Sequence, residues 1–255
     1  MNIVICGYGF VGAAHAEALG DKHTVHIYDP HKGYGKIGDK TFDNAQAVII
    51  AVSTPEGETG ECDMSNVYDC IERITPGTPV LIKSTISLEG WRLIKRAYPE
   101  ENISFSPEYL RAKHAAEDFK AQTHIEIGGD GIEFWVHLLS KVLDVEWNFV
   151  DPEVLIISKY ARNSFLALKV AYCNQLYDLC EATGIDYHSV MYYTGKDKRI
   201  GYSHSQIMED GQRGFGGHCL PKDTSALLAT GHGFGTDISI LSEAMQYNER
   251  LKLVK

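Results

Sequence analysis

The sequence predicts an α/β fold: a doubly wound, mostly parallel sheet followed by a helical domain built on one long helix. Three observations carry this expectation. Short apolar, β-branched runs alternate with amphipathic stretches from Met1 to Asp151, as parallel strands joined through helices require. A glycine-rich turn stands between the first apolar run and the first amphipathic stretch. From Pro152 to Thr183 apolar residues recur at helical spacing, with no glycine or further proline.

Taken in order, the strand candidates are Asn2–Cys6, Thr24–Tyr28, Ala47–Val52, Val80–Lys83, Ile103–Ser106, His124–Ile127 and Val145–Val150. Between them Val11–Leu19, Ser65–Ile74, Leu88–Ala97 and Gly131–Leu143 read as helices closing right-handed crossovers. The run from Pro152 to Thr183 reads as a single helix, roughly 45 Å long at 1.5 Å per residue. It carries more apolar residues than one small domain can cover, which points to a homodimer seam. Further helices are expected at Tyr187–Thr194, Leu220–Thr230 and Ile238–Leu253, with a glycine-dense loop from Asp210 to Cys219. The domain boundary is therefore placed between residues 151 and 152.

Composition removes several function classes. With 24 Lys+Arg against 34 Asp+Glu, a formal charge of -10 and no basic block, the chain lacks the footprint needed to grip a phosphate backbone, so no nucleic-acid partner is expected. No apolar stretch approaches the ~20 residues of a membrane span, and the N-terminus lacks a signal-peptide pattern. A cytoplasmic protein without a membrane partner is expected. Cys6, Cys62, Cys70, Cys173, Cys180 and Cys219 form no C-x-x-C pair, so neither zinc nor a disulfide framework is indicated. Five of them read as packing residues, Cys219 being the exception.

Gly7-Tyr8-Gly9-Phe10-Val11-Gly12 is a G-x-G-x-x-G that follows the first strand and opens the first helix. Its glycines permit a tight turn and close approach of backbone to a pyrophosphate, whose charge then lies at a helix N-terminus. The second strand ends at Tyr28-Asp29, where a carboxylate can accept hydrogen bonds from a ribose diol and repel a 2′-phosphate. The first domain is accordingly expected to be a Rossmann-type NAD-binding domain, with NAD preferred to NADP.

Further motifs follow in order: Ser53-Thr54-Pro55 through Gly60 and Asp63; Lys83-Ser84-Thr85; Ser106-Pro107-Glu108-Tyr109-Leu110-Arg111; Lys159-Tyr160-Ala161-Arg162-Asn163 with Leu166-Ala167 and Lys169-Val170-Ala171; Arg199-Ile200-Gly201; and Gly214-Phe215-Gly216-Gly217-His218-Cys219-Leu220-Pro221-Lys222-Asp223. Together they closely resemble the UDP-glucose/GDP-mannose dehydrogenase family. The resemblance implies a nucleotide-sugar substrate whose C6 alcohol becomes a carboxylate with two NAD and one water, as from UDP-glucose to UDP-glucuronate. It also implies an enzyme-bound thioester and a place in polysaccharide biosynthesis.

The chemistry agrees with that implication. An aldehyde can lose a second hydride once a thiolate has added to it, and Cys219 beyond a glycine-rich loop is the candidate nucleophile, with Lys222 near enough to favour the thiolate. The plainer reading of a cysteine is a small buried hydrophobe. Lys159 and Asn163, four apart on the long helix, share a face; by resemblance they stabilise an alkoxide and an oxyanion. Without the resemblance Lys159 reads as a surface lysine. Asp223 is implied to move a proton through water, its alternative being a helix-start carboxylate near Pro221. Thr85 and Glu108 follow strands at the carboxyl edge of the sheet, and the resemblance gives Thr85 a water-ordering hydroxyl and Glu108 the role of base. It places Ser53, Thr54, Thr85 and Lys222 with the glycine turn at the cofactor. Glu108, Tyr109, Leu110, Arg111, Lys159, Asn163, Arg199, Phe215 and Gly216 fall to the substrate, Arg199 reaching across the dimer or else being an exposed loop arginine.

The chain departs from the family pattern in four places. Ala112 stands where the family has a second acid, and Gln212 where the glycine loop has another glycine. The segment Pro30 to Ala45 is short, and the chain stops at Lys255, before the family's C-terminal nucleotide-binding domain. Two other readings stay open: a single-step NAD-dependent dehydrogenase of the 6-phosphogluconate type, which has no use for Cys219, and a non-catalytic NAD-binding subunit of a larger dehydrogenase.

Overall fold

The computed structural model describes residues 1–35, 40–208 and 211–253. Part of the Pro30–Ala45 segment, Asp210 at the head of the glycine-dense loop, and Lys255 lie outside the described residues. The chain divides into two compact units, Met1–Pro55 with Cys62–Ser158, and Glu56–Glu61 with Lys159–Lys255. The division falls inside the long helix, whereas the sequence reading placed it at residues 151/152.

The first unit is a seven-stranded sheet in the order β2-β1-β3-β4-β5-β6-β7. Its strands are β1 (Asn2–Cys6), β2 (Thr24–Tyr28), β3 (Ala47–Ile50), β4 (Val80–Ile82), β5 (Ile103–Phe105), β6 (His124–Gly129) and β7 (Glu146–Phe149). The helices are α1 (Phe10–Gly20), α2 (Ser65–Glu72), α3 (Leu88–Ala97), α4 (Ala115–Lys120) and α5 (Ile132–Leu139). β1 and β3, covered on both faces, are the strands that read as unbroken apolar runs; Ile3, Ile5, Ala47 and Ile49 are fully buried with Leu81, Ile127 and Trp135.

Two features of this unit were not foreseen. β6 pairs antiparallel with β5, Phe105 opposite Gly128 and Ser104 opposite Gly129, while the other pairings among these seven strands are parallel. Gly129 has a φ of +98°, and a Cβ there would come within 2.5 Å of the Ile103 carbonyl, so the approach needs glycine. α4 escaped notice because six residues are too few to show a helical period. It is held by Phe119, buried with Ala14, Leu110, Ala115, Ile125 and Leu143.

The second unit holds the long helix α6 (Pro152–Thr183) beyond its first turns, with α7 (Tyr187–Gly195), α8 (Cys219–Gly233) and α9 (Ser239–Leu253). Cys173 and Cys180 of α6 pack on Tyr187, Met191 and Ile207. A second cluster joins Ala167, Val170, Ala171 and Phe215, with Leu220, Ala244, Met245 and Tyr247 against it. Asp186 caps α7, accepting from the backbone N–H groups of His188 and Ser189. Among the described residues no helix is long and apolar enough to cross a membrane.

Candidate active site

The glycine turn is built by close packing. Gly7, at φ +86°, donates its N–H to the Tyr28 carbonyl at 2.9 Å, and a Cβ on it would strike the Ala51 carbonyl. Gly12 faces the Gly7 carbonyl, which a Cβ would meet at 2.0 Å. Gly9 differs: it caps α1 in extended backbone, and a Cβ there would meet nothing within 4 Å. Folding thus requires glycine at 7 and 12 but not at 9, where its absence of side chain leaves open space beside the first turn of α1. That is where a pyrophosphate would lie against backbone N–H groups, so the residues present fit a dinucleotide. Tyr8 and Val11 flank the turn half-buried, and Phe10 opens α1 exposed.

Asp29 stands at the end of β2. Its Oδ2 accepts from the Tyr8 N–H at 2.8 Å and its Oδ1 from the Lys32 N–H at 3.2 Å, while Lys32 Nζ donates to the Tyr8 carbonyl at 2.7 Å. The carboxylate is therefore locked against the glycine turn, and its remaining lone pairs suit the ribose diol. Ser53 and Thr54 follow β3, Thr54 buried and the Ser53 carbonyl held by Asn66 Nδ2 at 2.9 Å.

Beside them the first unit carries a buried charge cluster. Lys83, just after β4, sets its Nζ 3.2 Å from Glu108 Oε2 and donates to Ser106 Oγ at 3.0 Å; the two charged side chains are 4% and 5% exposed. Burial alone would raise the Glu108 pKa, but the Lys83 ammonium, with help from His15 and the Tyr109 N–H, holds it below the ordinary carboxylate value. His15 of α1 is also buried. Burial first and Lys83 second push it down to about 4, and it stays neutral with Nδ1–H donating to the Val11 carbonyl at 3.0 Å. Thr85 is half-buried two residues beyond Lys83, its carbonyl accepting from Cys62 Sγ at 3.4 Å.

The residues after Glu108 are placed differently from one another. Leu110 is buried in the α4 cluster. The Arg111 guanidinium is forked onto Asp118 at 2.6 and 3.0 Å, and Tyr109, half-buried, donates its backbone N–H to Glu108 Oε1 at 3.0 Å.

The second unit carries the thiol. Cys219 is exposed and is the first residue of α8; the five other cysteines are buried. The helix begins two residues before Pro221, which is tolerated in the first turn. Asp223, 1% exposed, accepts from Asn163 Nδ2 at 2.5 Å and from Lys222 Nζ at 2.6 Å. Lys222, expected beside the thiol or the cofactor, pairs with this carboxylate and is 19% exposed. Lys159 lies one turn before Asn163 on α6 and is buried, not the surface lysine of the plainer reading. Phe215, expected at the substrate, is a core residue whose N–H is bonded to Asn248; Gly216 beside it is half-buried. Arg199 is 88% exposed and folded back onto Asp197, in a turn tied down by Lys169 Nζ on the carbonyls of Ile200 and Gly201.

Comparison with known proteins decides the family. Residues 34–138 match the model of the UDP-glucose/GDP-mannose dehydrogenase family's NAD binding domain, and residues 156–250 match that of its central domain. The chain belongs to this family. UDP-glucose 6-dehydrogenase of Rickettsia felis is 32% identical over 230 residues, covering 85% of this chain and 50% of that protein. The Rhizobium meliloti enzyme of the same name is 33% identical over 226 residues, covering 82% and 51%. The chain thus spans about half the length of these curated relatives. Among solved structures, a UDP-glucose dehydrogenase from Pyrobaculum islandicum superposes with a TM-score of 0.82 at 28% identity, over 98% of this chain and 68% of that one. The 3-hydroxyisobutyrate dehydrogenase of Mycobacterium tuberculosis, at 18% identity and a TM-score of 0.69, shares the fold alone.

As a UDP-glucose/GDP-mannose dehydrogenase family chain it carries Ala112 and Gln212 without positive φ at either. Gln212 is not among the residues with positive φ, so its place in the loop does not demand glycine. Ala112 begins a 3₁₀ turn, Ala112–His114, on the exposed surface. The sequence reading missed Lys83, Ser106 and His15 as parts of the site. The signal for Lys83 was present, a lysine at the end of an apolar strand, where an ammonium needs a buried partner.

Proposed function

We propose that the chain carries the NAD-dependent oxidation of a nucleotide-sugar C6 alcohol to the carboxylate, with Cys219 as nucleophile. The observation that carries this reading is the exposed thiol at the head of α8, four residues before a buried carboxylate already joined to Asn163 and Lys222. When bound at the glycine turn, NAD supplies the hydride acceptor for each of two two-electron oxidations. The alcohol gives up a proton and a hydride to become an aldehyde. The Cys219 thiol adds to the aldehyde carbon, its proton passing to the oxygen, to give a thiohemiacetal. Loss of that proton and a second hydride leaves a thioester, and water cleaves the carbon–sulfur bond to return the thiol and release the acid. Lys159 and Asn163 stabilise the oxygen as it gains charge, and Asp223 takes and returns protons through water. Glu108, kept ionised by Lys83, serves as base for the attacking water, and Thr85 orders that water.

The test is a panel of UDP- and GDP-sugars with NADH counted against sugar consumed. Two NADH per sugar are expected from the unmodified protein, and loss of acid formation on the order of 10³-fold from Cys219→Ser, since a hydroxyl is far less ionised than a thiol. One NADH per sugar with full activity in Cys219→Ser establishes the single-step dehydrogenase instead. NAD binding without turnover establishes the non-catalytic subunit.

A homodimer belongs to the same reading. Phe165, Tyr172 and Leu179 are exposed on α6 at heptad spacing, next to a groove of about 240 Å³ lined by Leu168, Tyr172, Ile240 and Tyr247 among others. A dimer at micromolar concentration in sedimentation is expected, reduced to monomer by Tyr172→Glu. A cytoplasmic location and a role in supplying polysaccharide precursors accord with this activity.

A further inference from the structure

The loop that leads to Cys219 opens on a backbone hydrogen bond from the Gly211 N–H to the Met208 carbonyl at 3.1 Å. Three of its glycines, Gly211, Gly214 and Gly217, have positive φ, so little in the chain itself fixes its path. Beyond that turn a side chain of α9 grips it. Asn248, 1% exposed, accepts the Phe215 N–H on Oδ1 at 2.7 Å and donates Nδ2–H to the Phe215 carbonyl at 2.9 Å. Both backbone groups of one residue are thus paired by one amide, as a neighbouring strand would pair them. Gly214 completes the fit, because a Cβ there would come within 2.3 Å of Asn248 Oδ1. Phe215 then plugs the cluster of Ala167, Val170 and Ala171, and only three residues separate it from the thiol.

We infer that Asn248 is a positioning residue for Cys219: its amide clamp on Phe215 fixes the glycine loop and so sets where the thiol is presented. The inference rests on the proposed nucleophilic role of Cys219, but its geometry does not involve cofactor or sugar. Arg213 gives a second tie, donating Nε to Asn174 Oδ1 at 3.1 Å and pairing with Asp178 at 2.7 Å, so the head of the loop stays on α6 when the clamp is removed.

The experiment is alkylation of the native chain by iodoacetamide, followed by peptide mass, with no NAD or sugar present. Cys219 reports the loop and the five buried cysteines report global unfolding. In Asn248→Leu, the labelling rate at Cys219 should change by roughly fivefold or more, the size set by losing one or two hydrogen bonds that hold a conformer, while the buried five stay protected. A lowered melting temperature with an unchanged Cys219 rate would mean a merely structural role and overturn the inference. Should Asn248→Leu expose the buried cysteines, Asn248→Asp is read by the same rule, since it keeps the acceptor for the Phe215 N–H. Exposure in that variant as well makes Asn248 a general requirement of the fold and also overturns it. Because labelling needs neither cofactor nor substrate, a chain that makes no NADH still answers the question.

Discussion

The two units handle charge in opposite ways. In the first, Lys83 and Glu108 are sealed together beside the buried His15; the Lys83 ammonium holds Glu108 below its ordinary value, and burial, with Lys83 second, lowers His15. In the second, the carboxylate is sealed, but its lysine reaches toward solvent, 19% exposed, and the Cys219 thiol is exposed. Sealing fixes a protonation state at the cost of leaving any orphaned partner in low dielectric, whereas an edge position tolerates loss and leaves a group accessible to a reactant.

The largest effect is expected where the sealing is complete. Lys83→Met should destabilise the chain by about 3–5 kcal/mol in urea unfolding, because Glu108 stays buried without its cation. Adding Glu108→Gln should recover much of that loss; no recovery would break the account of the pair.

Next comes acid sensitivity. His15 has an ordinary value of 6.5 and a folded value of about 4, so between these the unfolded chain binds the extra proton. Stability is full above 6.5 and falls with pH toward 4, by roughly 3 kcal/mol in all. Glu108, also depressed when folded, adds a loss below its ordinary 4.5 as pH falls through its folded value. Urea midpoints from pH 7 to 4 should show the first loss, and His15→Phe should flatten it.

The smallest effect belongs to the edge pair. Lys222→Met should cost only about 1–2 kcal/mol, because Asp223 keeps the Asn163 amide. Equal losses for Lys83→Met and Lys222→Met would erase the contrast between the units.

Much of this was legible in the chain. The strands announced themselves through β-branched runs, the glycine turn through its spacing and the following Asp29, and α6 through an uninterrupted helical period that begins and ends where it was expected. What stayed hidden depended on distance. Lys83 meets Glu108 because β4 and β5 pair, Ile82 opposite Phe105, and nothing local marks that pairing. The antiparallel turn of β6 rests on two glycines that could equally close a loop. Leu110 and Phe215 sit inside motifs yet serve the core, and Arg111 and Arg199 fold onto nearby acids, Asp118 and Asp197. A motif names residues that travel together; it does not separate those that hold a ligand from those that hold the motif.

The three glycines of the first turn make that separation visible. Positions 7 and 12 are demanded by the chain's own atoms, and position 9 by none of them. A lineage released from dinucleotide binding would therefore be free to drift at 9 while keeping 7 and 12 for the sake of folding. On the proposed reading the ligand alone holds glycine at position 9, so Gly9→Ala should leave the urea midpoint nearly unchanged while weakening NAD binding.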